Sequence, residues 1–347
     1  MYKPASAPTL AQLSSFDEII DVRSPAEFAE DHIPGAINLP VLDDAQRAEI
    51  GTLHKQASAF AAKLAGAGLV SRNIARHLET HFATKQIAYH PLVYCWRGGN
   101  RSGSLTHVLQ KIGFRAEALP GGYKTYRRAV REELDTLPAQ FRYRVLCGPT
   151  GSGKSRLLAA LAQAGAQVLD LEVLANHRGS LLGLLPGTSQ PSQKYFDSLL
   201  AAALRTLDRE RPVYVEAESK KIGNLGVPDA LLTAMRLSSR VRLEVPLAAR
   251  VQLLLEDYAH FLSAPDLLAS QLQHLAELRG SAVVERWQAL IAKRQWTDLV
   301  GSLLETHYDL AYAKSLERNY PPHADDLVLP LDSPEAGELA LVAQRLI

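Results

Sequence analysis

Cysteine is scarce: there are two in 347 residues, Cys95 and Cys147. Two cannot build a disulfide framework, so a reducing compartment is expected and the protein reads as cytoplasmic. No apolar run approaches bilayer-spanning length, and Met1-Tyr2-Lys3-Pro4 carries no signal-peptide core, so no membrane partner is expected. An excess of one charge is missing too. The formal net charge of +1 gives no global pull on a polyanion, and a nucleic-acid partner would need local basic patches. The hydrophobic share of 47 % beside 22 % charged residues is that of ordinary globular protein, and the length suggests two or three domains.

One stretch organises the first part, Tyr94-Cys95-Trp96-Arg97-Gly98-Gly99-Asn100-Arg101-Ser102. An apolar run, Leu92-Val93-Tyr94, delivers the cysteine to a glycine-rich turn, and helical spacing resumes at Ser104 and continues to about Ile112. Strand, tight loop and helix start build a cradle of backbone N–H groups that favours anions. A thiol there ionises more easily than a free one, and Arg97 and Arg101 are the loop's fixed positive charges. Upstream, Glu18–Val22 reads as a buried strand, Ser24-Pro25-Ala26-Glu27 as a capped helix start, and residues 44–82 as mostly helical. Downstream come a strand near Phe114–Ala118 and the turn Leu119-Pro120-Gly121-Gly122-Tyr123. Alternating strands and helices imply a small α/β domain with a mainly parallel sheet over 1–138.

The second part opens on the strand Tyr143–Cys147, which runs into Gly148-Pro149-Thr150-Gly151-Ser152-Gly153-Lys154-Ser155. This is G-x-x-x-x-G-K-S with a strand before it and a helix, Arg156–Ala162, after it: a P-loop. Its glycines let the backbone approach phosphates, Lys154 supplies a point charge, and Ser155 can ligand Mg²⁺. Cys147 lies on the buried strand and reads as core. Further strands are expected at Val168–Glu172, Pro212–Glu216 and Val241–Val245. No Asp ends an apolar run in the usual metal-binding manner; Glu216 and Glu218 are the nearest substitutes, with Asp170 and Glu172 next. A diphosphate in the loop therefore suits the residues better than ATP turnover. Beyond residue 245 the chain turns helical to about Ala313, before a strand at Asp326–Leu331 and a helix from Ser333 to Leu346. The expected layout is a P-loop α/β domain over 139–245, a helical insertion over 246–323, and a terminal strand and helix over 324–347 that rejoin the P-loop sheet.

Asp21–Phe28, the His32-Ile33-Pro34-Gly35-Ala36 turn and the Leu119–Tyr123 turn resemble rhodanese-domain signatures around an active cysteine loop. The resemblance makes Cys95 the acceptor of a chalcogen atom, as persulfide or perselenide. The loop is longer than in ordinary sulfur-transferring rhodaneses: Cys95 and Arg101 stand as C-x5-R followed by Ser102, as in rhodanese-fold phosphatases and arsenate reductases, although Tyr94 replaces their usual histidine.

A rhodanese-like domain fused to a P-loop domain resembles the tRNA 2-selenouridine synthase family. The further pieces that carry this are Ala175-Asn176-His177-Arg178-Gly179-Ser180, Gln190-Pro191-Ser192-Gln193, Val215–Gly223 and His307-Tyr308-Asp309. The resemblance implies a two-step change at 2-thiouridine in the tRNA wobble position: S-geranylation from geranyl diphosphate, then selenation from selenophosphate. Cys95 would carry selenium as a perselenide, with Arg97, Gly98, Gly99, Asn100, Arg101 and Ser102 holding the phosphate group. Gly148, Thr150, Gly151, Ser152, Gly153 and Lys154 would hold the diphosphate, with Mg²⁺ on Ser155 and Glu216. Glu218, His177 and Arg178 are further contacts expected there. Candidate RNA contacts are Lys124, Arg127, Arg128 and Arg131, then Lys220-Lys221, Arg236, Arg240 and Arg242. His307, Tyr308 and Tyr312 either line a pocket or pack a helix, and the apolar helices of the insertion either shelter a geranyl chain or form core. The protein is expected to act as a monomer. Two other classes remain open: a phosphatase or arsenate reductase joined to a nucleotide-binding module, and a P-loop small-molecule kinase with a rhodanese-like scaffold.

Overall fold

The computed structural model describes residues 10–179, 182–183 and 187–347, and two units emerge from it. The first runs through residue 134 and also takes in 191–205; the second holds 135–190 and 206–347. Ser180 of the sequence motif lies outside the described residues.

In the first unit β1 (Glu18–Asp21) leads to α1 (Pro25–Glu30), whose start is fixed by the Glu27 carboxylate accepting the Ser24 N–H at 3.2 Å. Then follow β2 (Ile37–Asn38), α2 (Asp44–Gln56) and α3 (Ala59–Thr80), the last two capped by Asp43 and Ser58. The chain continues through β3 (Pro91–Tyr94), α4 (Asn100–Ile112), β4 (Glu117–Ala118) and α5 (Gly122–Thr136). The strands make a four-stranded sheet in the order β2-β1-β3-β4, all parallel, with Ile20 opposite Val93 and Asp21 opposite Tyr94. Every residue of β3 is buried, as expected for a central parallel strand. Ile20, Val22, Val93, Leu105 and Leu109 form the core under the cysteine loop.

The second unit begins with β5 (Tyr143–Cys147), α6 (Lys154–Gln163), β6 (Gln167–Leu169) and α7 (Leu171–Ala175). The strand expected through Glu172 stops at Leu169, because the Asp170 carboxylate accepts the Val173 N–H at 2.9 Å and caps a helix. Helix α8 (Gln193–Thr206) follows; the sequence order puts it with the P-loop domain, whereas its residues to 205 cluster with the first unit. There Ser198 donates to Asp31 at 2.8 Å and Arg205 pairs with Glu133 at 2.6 Å.

Next come β7 (Val213–Glu216), a hairpin of β8 (Lys221–Ile222) and β9 (Leu225–Gly226), α9 (Asp229–Arg236) and β10 (Ser239–Glu244). A helical block occupies 247–319: α10 (Leu247–Asp257), α11 (Ala259–Leu262), α12 (Pro265–Gln273), α13 (Ala276–Arg279), α14 (Ser281–Ala292), α15 (Trp296–Leu303) and α16 (Asp309–Asn319). A π-helical turn, Leu304–Tyr308, joins the last two. The block has its own core around Trp287, Leu272 and Leu299. The chain then returns as β11 (Leu327–Pro330), parallel to β10, and closes with α17 (Ala336–Leu346). The sheet order is β11-β10-β5-β7-β6, parallel throughout. No helix among the described residues is long and apolar enough to cross a membrane.

Candidate active sites: a thiol cradle and a phosphate loop

Cys95 follows β3 directly and is 3 % exposed. Burial pushes its thiol up. The Ser102 hydroxyl, 3.2 Å from the sulfur, and the backbone N–H groups of Ser102, Gly99 and Arg97 push it down, and the net shift is downward. Hydrogen bonds to the charged form thus outweigh desolvation, as a nucleophilic thiol requires. Cys147 is the contrast: fully buried on β5, it is pushed up to about 12 by burial, and it is core.

The loop is shaped by the next turn in the chain. The Tyr123 N–H donates to the Cys95 carbonyl at 2.8 Å and the Lys124 N–H to the Trp96 carbonyl at 3.0 Å. Gly122 has φ +58°, and a Cβ there would lie 2.2 Å from the Cys95 carbonyl oxygen, so only glycine fits. This is the physical content of the Pro120-Gly121-Gly122-Tyr123 signature. Gly98, Gly99 and Asn100 make the turn into α4, and Ser102 faces back to the sulfur.

The two arginines differ. Arg101 donates to Glu27 at 2.9 Å, and Glu27 also pairs with Arg47 at 3.0 Å, so one carboxylate is shared by two guanidiniums and offsets only part of their charge. Arg97 is exposed and has no carboxylate partner among the described residues. Behind the loop, Arg23 pairs with Asp21 at 2.6 Å, in full burial, and stacks 4.0 Å from the Tyr123 ring.

Of the basic candidates, Lys124, Arg128 and Arg131 are exposed. Arg127 is not: it is 9 % exposed, donates to the Lys194 carbonyl at 3.0 Å and pairs with Asp197. Its role is to hold α8, and it is withdrawn as an RNA contact. Arg240 is likewise held by Asp326, while Arg242, Lys220 and Lys221 stay exposed, the first paired with Glu244 and the second with Asp229.

In the second unit β5 runs into the P-loop and α6 begins at Lys154. Lys154 Nζ donates to the Gly148 carbonyl at 2.8 Å, and the Gly148 N–H donates to the Tyr312 hydroxyl at 2.6 Å. Thr150 offers its carbonyl to Arg250 at 3.1 Å, and Arg250 is clamped by both oxygens of Asp309 at 2.8 and 2.7 Å. Ser152 is fully buried inside the loop. Gly151 and Gly153 both have positive φ.

Ser155 Oγ donates to Glu172 at 3.4 Å. Glu172, Glu216 and Glu218 each bring a carboxylate oxygen within 4.8 Å of the others. Burial raises all three above the ordinary carboxylate range; their mutual repulsion adds to this at Glu172 and Glu218, and Lys154 opposes it. Oε1 of Glu216 is buried with no hydrogen-bond partner among the described residues. Clustered hard oxygen donors with an orphaned buried oxygen fit a divalent cation such as Mg²⁺. Glu172 was the weaker sequence candidate. Asp170, ranked beside it, is a helix cap.

His177 and Arg178 lead into Gly179, where a Cβ would lie 2.9 Å from a Glu172 carboxylate oxygen, so this segment runs beside the cluster. His177 is buried and its Nδ1 accepts the Gly179 N–H at 3.0 Å. Arg178 donates to the Asp257 carbonyl at 2.8 Å and stacks 5.0 Å from Tyr258. His307 accepts from Arg279 at 3.0 Å and packs a helix, whereas Tyr308 lines an apolar groove.

A parallel-sheet cysteine cradle followed by a strand–P-loop–helix unit defines a rhodanese-like domain joined to a P-loop domain. The comparisons agree: residues 6–129 match the rhodanese-like domain and residues 141–269 the tRNA 2-selenouridine synthase AAA domain. A tRNA 2-selenouridine synthase of Alcanivorax borkumensis is 34 % identical over 332 residues, covering 86 % of this chain and 90 % of the relative. Its namesake in Bdellovibrio bacteriovorus is 32 % identical, covering 87 % and 89 %. One from Nitrosomonas europaea is 38 % identical over 69 % of this chain, and the match spans 63 % of that relative's length. The chain belongs to the tRNA 2-selenouridine synthase family.

Proposed function

We propose that the protein is a tRNA-modifying transferase that converts 2-thiouridine at the wobble position to 2-selenouridine, acting as a monomer in the cytoplasm. The observation that carries this is the presence, on one chain of that family, of two anion cradles with different chemistry: one ends in an activated thiol, the other in a lysine beside a carboxylate cluster.

In the first step the thiocarbonyl sulfur attacks C1 of geranyl diphosphate. The C–O bond breaks, diphosphate leaves with the electron pair, and the base loses its N3 proton. Lys154 and the P-loop N–H groups stabilise the charge that grows on the leaving group. Ser155, Glu172, Glu216 and Glu218 would hold Mg²⁺, which supplies further charge neutralisation there. S-alkylation turns C2 into a centre with a thiolate leaving group. In the second step selenium from selenophosphate bonds to C2 and geranylthiolate departs.

Cys95 is the selenium carrier in this reading. Its thiolate bonds to selenium as the Se–P bond breaks, the bonding pair leaving with phosphorus as phosphite, and Arg97 and the loop amides face that anion. The terminal selenium then bonds to C2 as geranylthiolate departs, and an added thiol attacks the Cys95 sulfur, so that the S–Se pair stays on selenium and Cys95 is left in a mixed disulfide with that thiol. Water attack on phosphorus would instead release phosphate and hydrogen selenide with no cysteine adduct. Intact mass of the protein with ³¹P NMR of the released ion separates the two routes.

The test of the whole reading is mass spectrometry of nucleosides from 2-thiouridine tRNA incubated with geranyl diphosphate and selenophosphate, separately and together. S-geranyl-2-thiouridine is expected with the first alone and 2-selenouridine with both. Absence of both products overturns the proposal.

A further inference from the structure

We propose that the apolar groove of the helical block, opening at Thr150, seats the hydrocarbon chain of a prenyl diphosphate whose diphosphate lies in the P-loop. This rests on the alkyl-transfer reading above and assigns the residues that read the chain.

The walls of the groove come from α10, α11, α12, α15 and the π-helical turn. Leu254, Leu255, Leu262, Val300, Leu303 and Leu304 belong to the aliphatic part of that wall. It is continuous with the phosphate loop in two ways. Thr150 itself lines the groove, and a Cβ on Gly151 would lie 3.1 Å from Leu254 Cγ. The Thr150–Arg250–Asp309 chain of hydrogen bonds, with Arg250 only 5 % exposed, ties the loop to the block. The distance between an anionic head and an apolar tail is therefore fixed by the protein.

The lining also selects the kind of tail. A nucleobase brings ring donors and acceptors that lose their water on entry and need partners. Here the polar groups are confined to Thr150 and the single polar atoms of Tyr258, Trp296 and Tyr308. A hydrocarbon chain needs no partners and gains about fourfold in affinity per fully buried methylene-sized group. A π-helical turn in the wall is the type of irregularity that accompanies ligand sites.

The test is calorimetric binding of geranyl diphosphate and of inorganic diphosphate, with Mg²⁺, to the full-length protein. The wild type is expected to bind the geranyl compound at least about a hundredfold more tightly, the gain from roughly three fully buried methylene-sized groups of the chain. Leu255→Gln and Leu262→Gln, at half-buried wall positions, are expected to lose most of that factor and keep the affinity for inorganic diphosphate. If either loses inorganic diphosphate as well, Val300→Met decides: it keeps the wall apolar, narrows the groove and must reduce the chain's advantage. An unchanged advantage in the variants, or none in the wild type, overturns the groove assignment. Alkylation of 2-thiouridine tRNA is scored separately. A wild type that favours the chain, with variants that do not, keeps the groove even if nothing is alkylated. Undiminished alkylation by the variants at low geranyl diphosphate keeps the reaction and removes the groove.

Discussion

The Ser102 hydroxyl sits 3.2 Å from the Cys95 sulfur, in the first turn of the helix whose N-terminal amides surround that sulfur. Side chain and backbone thus favour the thiolate together, against the burial that opposes it. Replacing Ser102 with alanine removes a donor and leaves the desolvation in place. Cys95 alkylation by iodoacetamide is expected to titrate below the ordinary thiol range in the wild type. In Ser102→Ala it should move upward, slow at neutral pH and recovered at high pH. An unmoved profile would leave the amides as the whole cause.

The two cradles should fail separately. Cys95→Ala is expected to abolish selenation and accumulate geranylated tRNA. Lys154→Ala should slow alkylation by about a hundredfold to a thousandfold, the range for losing one preorganised charge partner, yet still insert selenium into tRNA geranylated beforehand. Nucleoside mass spectrometry on both variants checks this, and equal loss of both steps in either variant would count against it.

Neighbouring arginines of α5 should behave as opposites. Arg128 is 72 % exposed, with only a 3.9 Å contact to Glu132, while Arg127 is buried against Asp197 and Lys194. If RNA lies on the exposed face, Arg128→Ala combined with Lys124→Ala lowers the salt slope of tRNA binding by about one per lost phosphate contact. Arg127→Ala should instead lower the unfolding midpoint, because Asp197 loses its counter-ion. Filter binding across a salt series, beside thermal unfolding, separates the two.

The Arg250–Asp309 clamp makes a stability prediction. Removing Asp309 leaves the buried Arg250 uncompensated, at a usual cost of about 3–5 kcal/mol, whereas removing Arg250 leaves a carboxylate that is 31 % exposed and should cost less. Arg250→Met should cost less than Arg250→Ala, since it keeps the packed stem. Urea unfolding measures both. Diphosphate affinity should fall as well, because the Thr150 carbonyl loses its donor.

Gly122→Ala tests the shape of the cysteine loop. With a Cβ 2.2 Å from the Cys95 carbonyl oxygen, the loop must move. A loss of about 2–3 kcal/mol is expected from overpacking and the left-handed backbone, with Cys95 alkylation at neutral pH slowed. Unchanged stability and reactivity would mean that the turn gives way more easily than its backbone contacts suggest.

Both cradles were legible in the sequence because each is contiguous: the residues that make the cavity also make the motif. The carboxylate cluster was harder to read. Glu172 stands 44 residues before Glu216, and no local pattern sets it above Asp170 until a helix cap claims the latter. Arg127 carried a usable signal that charge counting overlooks. Tyr123, Tyr126, Val130 and Leu134 are buried on one face of α5, and Arg127 falls on the same stripe. The allegiance of α8 had no local signal, since an amphipathic helix states that it needs a partner and not which one.

That helix has a consequence for how the protein is made. The first unit includes residues 191–205, so a nascent chain that has just completed α5 still lacks Ser198 for Asp31 and Asp197 for Arg127. The ribosome must translate the whole P-loop before the rhodanese-like fold receives its last helix. The growing chain therefore holds an unfinished cysteine-loop domain while the phosphate loop emerges, and a chaperone meeting it would find Asp31 and Arg127 still unpaired with that helix. Cutting at residue 138 would recreate this intermediate permanently, whereas a fragment ending beyond residue 205 would not.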